Sequence, residues 1–159
     1  MATIEQDVRI ERGSSGDLDD AMIVMDAAFG KSFGEAWTRS QLAGILPMSG
    51  VSLMLARAAA RGGTIGFSLF RTVADESELL LLAVLPEFRR QGVGTQLLDD
   101  FLERSRNDGV DRVHLEVRDG NPAVAMYRAS GFLPIGRRRN YYHAADGKRF
   151  DAITLASQL

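Results

Sequence analysis

The sequence predicts a single domain of the mixed α/β class, and three observations support that prediction. The chain has 159 residues, of which 45% are hydrophobic, which is enough for one sizeable core. Its apolar residues follow helical spacing in some segments, such as 18–29 and 92–106, and strand-like alternation in others, such as 8–12 and 110–118. No repeat, low-complexity tract or linker divides residues 1–159. We expect the order strand, two helices, three strands, helix, strand, helix and two closing strands.

The first third of the chain predicts one strand and two helices. Residues 8–12 alternate between apolar and charged side chains, as a short strand does. Residues 14–17 have capping-box spacing ahead of an apolar helical pattern at 18–29. The same spacing recurs at residues 38–41, where we expect a second helix that ends at Pro47.

The middle of the chain predicts a hairpin, a buried strand and an amphipathic helix. Residues 51–58 and 64–73 flank the turn 61–63, which contains two glycines. The unbroken apolar run at 79–85 predicts a strand that is covered on both faces. A single apolar stripe at helical spacing predicts a helix over residues 92–106.

In the last third, the alternation of one strand decides which side chains share a face. A strand at 110–118 directs Val113, Leu115 and Val117 to one face and three polar side chains to the other: His114, Glu116 and Arg118. A short helix at 122–130 and two closing strands at 132–140 and 150–156 complete the domain.

Composition excludes several classes of protein. The net charge of -2 gives no basic excess for nucleic acid or a membrane surface, and the chain has no cysteine for disulfides or thiolate metal sites. The longest apolar run is too short to span a bilayer, and residues 1–7 lack a signal pattern. We expect a cytoplasmic protein that binds no nucleic acid, membrane or metal.

A glycine turn between the strand at 79–85 and the next helix predicts a phosphate site. Gly92 and Gly94 leave the backbone open where unpaired N–H groups and the helix dipole favour an anion, and Arg89 and Arg90 add positive charge. A nucleoside-triphosphate loop would need a Lys after its last glycine, which is missing. A dinucleotide fold would need a third glycine where Leu97 stands.

What remains is Arg-x-x-Gly-x-Gly at residues 89–94, within a longer phrase over 82–94, followed by Met-Tyr at 126–127 and Gly-Phe at 131–132. These two motifs resemble those of the GCN5-related N-acetyltransferase (GNAT) superfamily. The resemblance implies acetyl-CoA as acetyl donor and a twisted, mostly antiparallel sheet of about seven strands flanked by about four helices. It also implies that two strands splay apart at the cofactor site.

The resemblance also implies which residues contact the cofactor. In the family, freed backbone groups of the splayed strand bond the pantetheine arm, and the glycine turn binds the pyrophosphate. Carried onto matching positions, the set is Leu82, Ala83, Val84, Arg89, Arg90, Gln91, Gly92, Val93, Gly94, Thr95, Asn121 and Tyr127.

Three further phrases narrow the resemblance. Leu-Glu-Val-Arg at 115–118, Arg-Arg-Asn-Tyr-Tyr at 138–142, and Asp-Gly followed by Asp-Ala-Ile at 151–153 are similar to the RimI-like N-terminal acetyltransferases of ribosomal proteins. That resemblance implies Glu116 as general base and Tyr127 as general acid. One departure is Phe150, which stands where the group has Glu.

The transfer of an acetyl group to an amine independently requires a base and a proton donor. An amine attacks only when it is neutral, and the departing thiolate benefits from a proton donor. A protein N-terminus has a pKa of about 8 and a lysine about 10.4, so the N-terminus loses its proton more readily. Without cysteine, the acetyl group should pass directly from the thioester to the amine. His114 shares a face with Glu116 and is the alternative base.

The resemblance to the RimI-like group also implies the acceptor amine. We expect the N-terminal α-amine of a protein, such as a ribosomal protein, with Trp37, Tyr141 and Tyr142 lining its groove. A small-molecule amine, a lysine side chain, or a non-catalytic acyl-CoA-binding regulatory role are the alternatives. The run 137–139 of three arginines predicts a solvated strand surface rather than an RNA site. We expect a monomer or a weak dimer.

Overall fold

The computed structural model describes residues 7–59 and 62–159 and shows the predicted mixed α/β architecture. The strands are β1 Val8–Arg12, β2 Val51–Ala58, β3 Gly63–Val73, β4 Glu76–Val84, β5 Arg112–Arg118, β6 Leu133–His143 and β7 Arg149–Gln158. The α-helices are α1 Leu18–Phe29, α2 Arg39–Ile45, α3 Val93–Asn107 and α4 Ala123–Ala129. Within these described residues, the seven strands form one sheet in the order β1-β2-β3-β4-β5-β7-β6, in which only β4 and β5 pair in parallel. The predicted fold class is confirmed.

Both predicted capping boxes form. The Thr38 hydroxyl accepts a hydrogen bond from the Gln41 N–H at 3.2 Å, and the Gln41 side-chain oxygen accepts one from the Thr38 N–H at 2.8 Å. These bonds satisfy two N–H groups that the start of α2 would otherwise leave without partners. The box of Ser14 and Asp17 starts a short 3-10 turn, Ser15–Asp17, that leads directly into α1.

The strands β4 and β5 pair over only four residues before they separate. Their register runs from Glu76 opposite Arg112 to Leu79 opposite Leu115, and β4 then continues to Val84 beside β3 alone. The peptide groups of β4 beyond Leu79 that point toward β5 therefore face a gap instead of a neighbouring strand. The expected splay of two strands is present.

The prediction that the apolar run is covered on both faces is wrong. Burial alternates along β4: Leu79, Leu81 and Ala83 are buried, whereas Leu80 and Leu82 are only partly buried. Leu80 and Leu82 pack against the core and also line the cleft between β4 and β5, which explains why they are apolar yet only partly buried. The strand also begins earlier than predicted, at Glu76. Arg61 of the predicted hairpin turn lies outside the described residues.

The core lies between the sheet and the helices. Helices α1 and α3 each pack against β3 and β4. Phe67 of β3, Phe101 of α3 and Phe132 before β6 are fully buried. The apolar face of β5 is also buried, as the alternation along this strand predicted: Val113, Leu115 and Val117.

A bulge interrupts the pairing of β6, the outermost strand, with β7. The register breaks between Arg138 and Tyr142, and Asn140 adopts a left-handed conformation with φ of 55°. Asp151 of β7 holds this bulge, since its carboxylate accepts hydrogen bonds from the Asn140 N–H and from the Arg137 guanidinium, both at 2.9 Å. These two donors lower the pKa of the Asp151 carboxyl. The bulge re-aims the side chains on either side of it.

Candidate active site

A cleft of about 780 Å³ opens where β4 and β5 separate. The start of α3 and the glycine turn contribute one part of its wall, and β5, β6 and the loop before α2 contribute the other. All but one of the predicted site residues line it: Trp37, Leu82, Ala83, Val84, Arg89, Arg90, Gly92, Val93, Gly94, Thr95, Glu116, Asn121, Tyr127, Tyr141 and Tyr142. The exception is Gln91, whose side-chain amide donates instead to the Glu87 carbonyl at 3.2 Å.

The glycine turn has the geometry of an anion cradle. Gly92 is the N-cap of α3 with φ of 81°, and a Cβ there would meet no atom within 4 Å, so its surroundings are open. The first N–H groups of this fifteen-residue helix have no acceptor within the helix. A Cβ on Gly94 would lie 3.2 Å from the Met126 sulfur, so the missing side chain lets α4 approach the start of α3. These residues fit a pyrophosphate group.

The two arginines beside the turn have different surroundings. The Arg89 guanidinium donates to the Ala28 carbonyl in the last turn of α1 at 2.8 Å, which ties the glycine turn to that helix. Arg90 is exposed at the cleft and has a left-handed backbone with φ of 61°. Arg90 therefore has the freer guanidinium of the two for an incoming phosphate.

Glu116 lies on the cleft side of β5, surrounded by three side chains of β6. Its carboxylate is 2.5 Å from the Arg138 guanidinium, and its backbone carbonyl accepts a hydrogen bond from the Tyr142 hydroxyl at 3.4 Å. The pKa of Tyr141 is raised by burial, then by the charge of Glu116 and a hydrogen bond to it. The Glu116 side chain is only 13% exposed.

Tyr127 is almost completely buried and its ring packs edge-on against Phe132 at 5.9 Å. Burial raises the pKa of the Tyr127 phenol well above its ordinary value, and the negative charge of Glu35 raises it further. The phenol is therefore fully protonated at neutral pH, which is the state a general acid requires.

His114, the alternative base, lies outside the cleft lining. Its ring nitrogens face two carboxylates of β4: Nδ1 is 3.4 Å from Glu76 and Nε2 is 3.6 Å from Glu78. The cross-strand pairing of Glu78 with His114 fixes this arrangement. Of the two candidate bases, the geometry favours Glu116.

Three cleft residues that were not predicted as site residues contact one another: Phe33, Glu35 and Arg118. Glu35, in the loop of residues 30–38 between α1 and α2, lies 3.3 Å from the Arg118 guanidinium at the end of β5. Both side chains are about nine-tenths buried, and the guanidinium stacks 3.6 Å above the ring of Phe33. The contact between the charges is not aligned as a hydrogen bond. We call this loop, residues 30–38, the acceptor loop.

Asn121 joins the acceptor loop to α4. Its amide donates to Glu35 at 2.9 Å, and its side-chain oxygen accepts from the Ala123 N–H at 2.9 Å, which caps the start of α4. Phe150, which stands in place of the expected Glu, packs edge-on against Phe33 at 5.2 Å. An aromatic contact thus replaces a charge at this position and helps to hold the acceptor loop.

The close approach of the acceptor loop to β6 predicts a specific cost for one substitution. A Cβ on Gly34, which has φ of 71°, would lie 2.1 Å from the His143 carbonyl oxygen. We expect Gly34→Ala to destabilise the protein by about 1–3 kcal/mol more than Gly147→Ala. Gly147 is the matched control because it also has positive φ (86°) but open space around it, so its substitution should cost only about 1–2 kcal/mol. Urea unfolding of both variants measures the difference, and equal losses would contradict the close approach.

Within the described ranges, no group of three or more His, Asp or Glu side chains is arranged to hold a metal ion. In that same part of the chain, no helix combines the length and apolar character needed to cross a bilayer.

A sheet that splays over a cleft, with a glycine turn at the start of the following helix, defines an acetyltransferase fold of the GNAT class. The model of the Acetyltransferase (GNAT) family matches residues 24–132, more than half of the chain, and the chain belongs to this family. The predicted family is confirmed.

Within the family, the chain is similar to bacterial enzymes that modify ribosomal proteins. It is 40% identical over 96 residues to [Ribosomal protein bS18]-alanine N-acetyltransferase of Escherichia coli K12, and this match covers 60% of the chain and 64% of the relative. It is 39% identical over 100 residues to N-alpha-acetyltransferase RimI of Mycobacterium tuberculosis, covering 59% of the chain and 60% of the relative. The matched segment thus spans somewhat less than two thirds of these relatives.

The crystal structure of the ribosomal-protein-S18-alanine N-acetyltransferase from Escherichia coli superposes over nearly the whole chain. Its TM-score is 0.85 at 30% identity, and the match covers 95% of this chain and 93% of that one. The predicted resemblance to the RimI-like group is confirmed by these matches.

Proposed function

We propose that the chain transfers the acetyl group of acetyl-CoA directly to the N-terminal α-amine of a protein, and that a ribosomal protein is the acceptor. The observation that carries this proposal is the arrangement within one cleft. A glycine turn suited to pyrophosphate, a buried phenol at Tyr127 and a carboxylate at Glu116 all line the same space. The Escherichia coli relative is an alanine N-acetyltransferase of ribosomal protein bS18, and the Mycobacterium tuberculosis relative is an N-alpha-acetyltransferase; both support that choice of acceptor.

The cofactor is held by the chain in two places. We propose that the N–H groups at the start of α3, with Arg90, bind the pyrophosphate. The free edge of β4 at Leu82, Ala83 and Val84 then hydrogen-bonds the extended arm, because β5 has left that edge. When bound, acetyl-CoA supplies the activated acyl group.

Two proton transfers then take place at the centre of the cleft. Glu116 takes the proton that the amine must lose, and the amine nitrogen forms its bond to the acyl carbon as the carbon–sulfur bond breaks. Tyr127 gives its phenol proton to the departing sulfur and recovers one from solvent. The products are an acetamide and a free thiol, and Glu116 returns its proton to solvent.

The reaction is tested by thiol release from acetyl-CoA with two matched sets of peptides. One set begins with a small residue and has a free N-terminus. The other set has the same peptides with the N-terminus blocked, so that an internal lysine is the remaining amine. We expect release only with the free N-terminus. Equal rates with the blocked set would overturn the choice of acceptor, and acetyl-CoA binding without acetylation of any amine would overturn the enzymatic function.

The role of Tyr127 gives a separate prediction. Tyr127→Phe removes the hydroxyl but keeps the ring that packs on Phe132. We expect kcat to fall roughly tenfold, less than the usual 10²–10⁴-fold for a general acid, since a thiolate with a pKa of about 8.5 leaves readily without help. The affinity for acetyl-CoA, measured by calorimetry, should change less than about twofold. An unchanged kcat would remove Tyr127 as the acid.

A further inference from the structure

The carboxylate proposed as the base is already in contact with a cation from its own chain. The Arg138 guanidinium lies 2.5 Å from Glu116, although 63% of the Arg138 side chain is exposed to solvent. It also lies 5.6 Å above the ring of Tyr141, a residue that itself lines the cleft. An exposed arginine on the outermost strand thus reaches inward to a carboxylate that is nearly buried.

A bulge in β6 directly follows Arg138. The pairing of β6 with β7 breaks just after Arg138, and the left-handed Asn140 follows it. Asp151 holds both sides of the bulge, through the Arg137 guanidinium and the Asn140 N–H. These two contacts of Asp151 hold the backbone of β6 on both sides of Arg138.

The neighbouring arginines have different partners. Arg137 contacts Asp119 and Asp151, both at the surface and both outside the cleft lining. Arg139 is exposed on the same strand. Of the run 137–139, Arg138 is the residue directed at the carboxylate of Glu116.

We infer that Arg138 occupies the place of the acceptor's ammonium group at Glu116 and thereby determines which amines can react. An incoming amine must displace the guanidinium before Glu116 can take its proton. A protein N-terminus brings additional contacts along the cleft that offset this displacement, whereas a small amine has only its own ammonium group. Arg138 therefore sets a minimum affinity that a peptide reaches through its additional contacts and a small amine does not reach. This inference rests on the proposed function.

The test compares the parent protein with Arg138→Gln, Arg138→Lys and the matched control Arg139→Gln. Initial rates are measured against a peptide with a free N-terminal alanine and against glycinamide, a small α-amine. With Arg138→Gln, we expect the KM for the peptide to fall about two- to fivefold, the effect expected for an exposed ion pair. The kcat should stay within about twofold, and glycinamide should become a measurable substrate. Arg138→Lys keeps the charge and should stay close to the parent, as should Arg139→Gln.

A second measurement separates binding from turnover. Calorimetric titration of the peptide into protein saturated with CoA should show tighter binding for Arg138→Gln by the same factor as its KM. An unchanged or raised KM, a kcat lowered more than tenfold, or the same change in Arg139→Gln would each overturn the inference. If the parent protein acetylates no peptide at all, the proposed function itself fails. If the parent acetylates the peptide and the Arg138 variants do not differ from it, only the role inferred for Arg138 fails.

Discussion

Glu116→Gln should lower kcat for an N-terminal peptide by about 10²- to 10⁴-fold, the usual contribution of a general base. Glutamine has the same shape and still accepts hydrogen bonds from Tyr141 and Arg138, but it cannot take a proton at neutral pH. The effect should therefore appear in kcat and leave the affinity for acetyl-CoA within about twofold. Steady-state rates and calorimetry on the same preparation measure both quantities.

His114→Gln is the matched control for this prediction. His114 shares the face of β5 with Glu116, but its ring is held between Glu76 and Glu78 and does not line the cleft. We expect its substitution to change kcat by less than about threefold. A loss as large as that of Glu116→Gln would make His114 the base, and full activity of Glu116→Gln would remove Glu116 from the chemistry.

Arg118→Ala should produce a large loss of stability. It leaves the Glu35 carboxylate nine-tenths buried with only the Asn121 amide as partner, and it removes the stacking on Phe33. Removing one partner of a buried ion pair costs about 3–5 kcal/mol. We expect the lower end, about 3 kcal/mol, because the contact is not aligned as a hydrogen bond. Urea unfolding measures the change.

An exposed ion pair between the same part of the chain and α1 provides the control. Arg39 at the start of α2 contacts Asp19 of α1, and both side chains are more than half exposed. Arg39→Ala should cost less than about 1 kcal/mol. The double variant of Glu35 and Arg118 to alanine should cost less than the sum of the two single losses, since no buried charge is then left without a partner. Additive losses would show that the two side chains act independently.

Whether a feature could be predicted depends on how far apart in the sequence its contacting residues lie. The helices, strands and both capping boxes depend on neighbours two to four residues apart, and such patterns are visible in one sequence. The glycine turn at Gly92 and the place of Glu116 on the polar face of β5 also follow from patterns between neighbouring residues. These features were predicted, and the structure brings them to one cleft.

Glu35 was missed because nothing near it in the chain marks its role. Its partner Asn121 is 86 residues away, and Arg118 lies on a different element, so only the folded chain brings them together. Arg118 was placed correctly on the face of Glu116, but a charged residue at a strand end is usually exposed, and here it is buried. The bulge at Asn140 was missed for a different reason, since no glycine or proline marks it.

The position of β7 in the sheet has a consequence for how the protein is made. This last strand lies between β5 and β6, so Glu116 on one side and Arg138 on the other meet only after β7 has entered the sheet. While the chain is being synthesised from its N-terminus, β1 to β4 and the glycine turn emerge first and already have neighbours to pair with. The edge of β4 and the glycine turn can therefore take shape on the nascent chain, but the contact between Glu116 and Arg138 forms only once β7 has been synthesised.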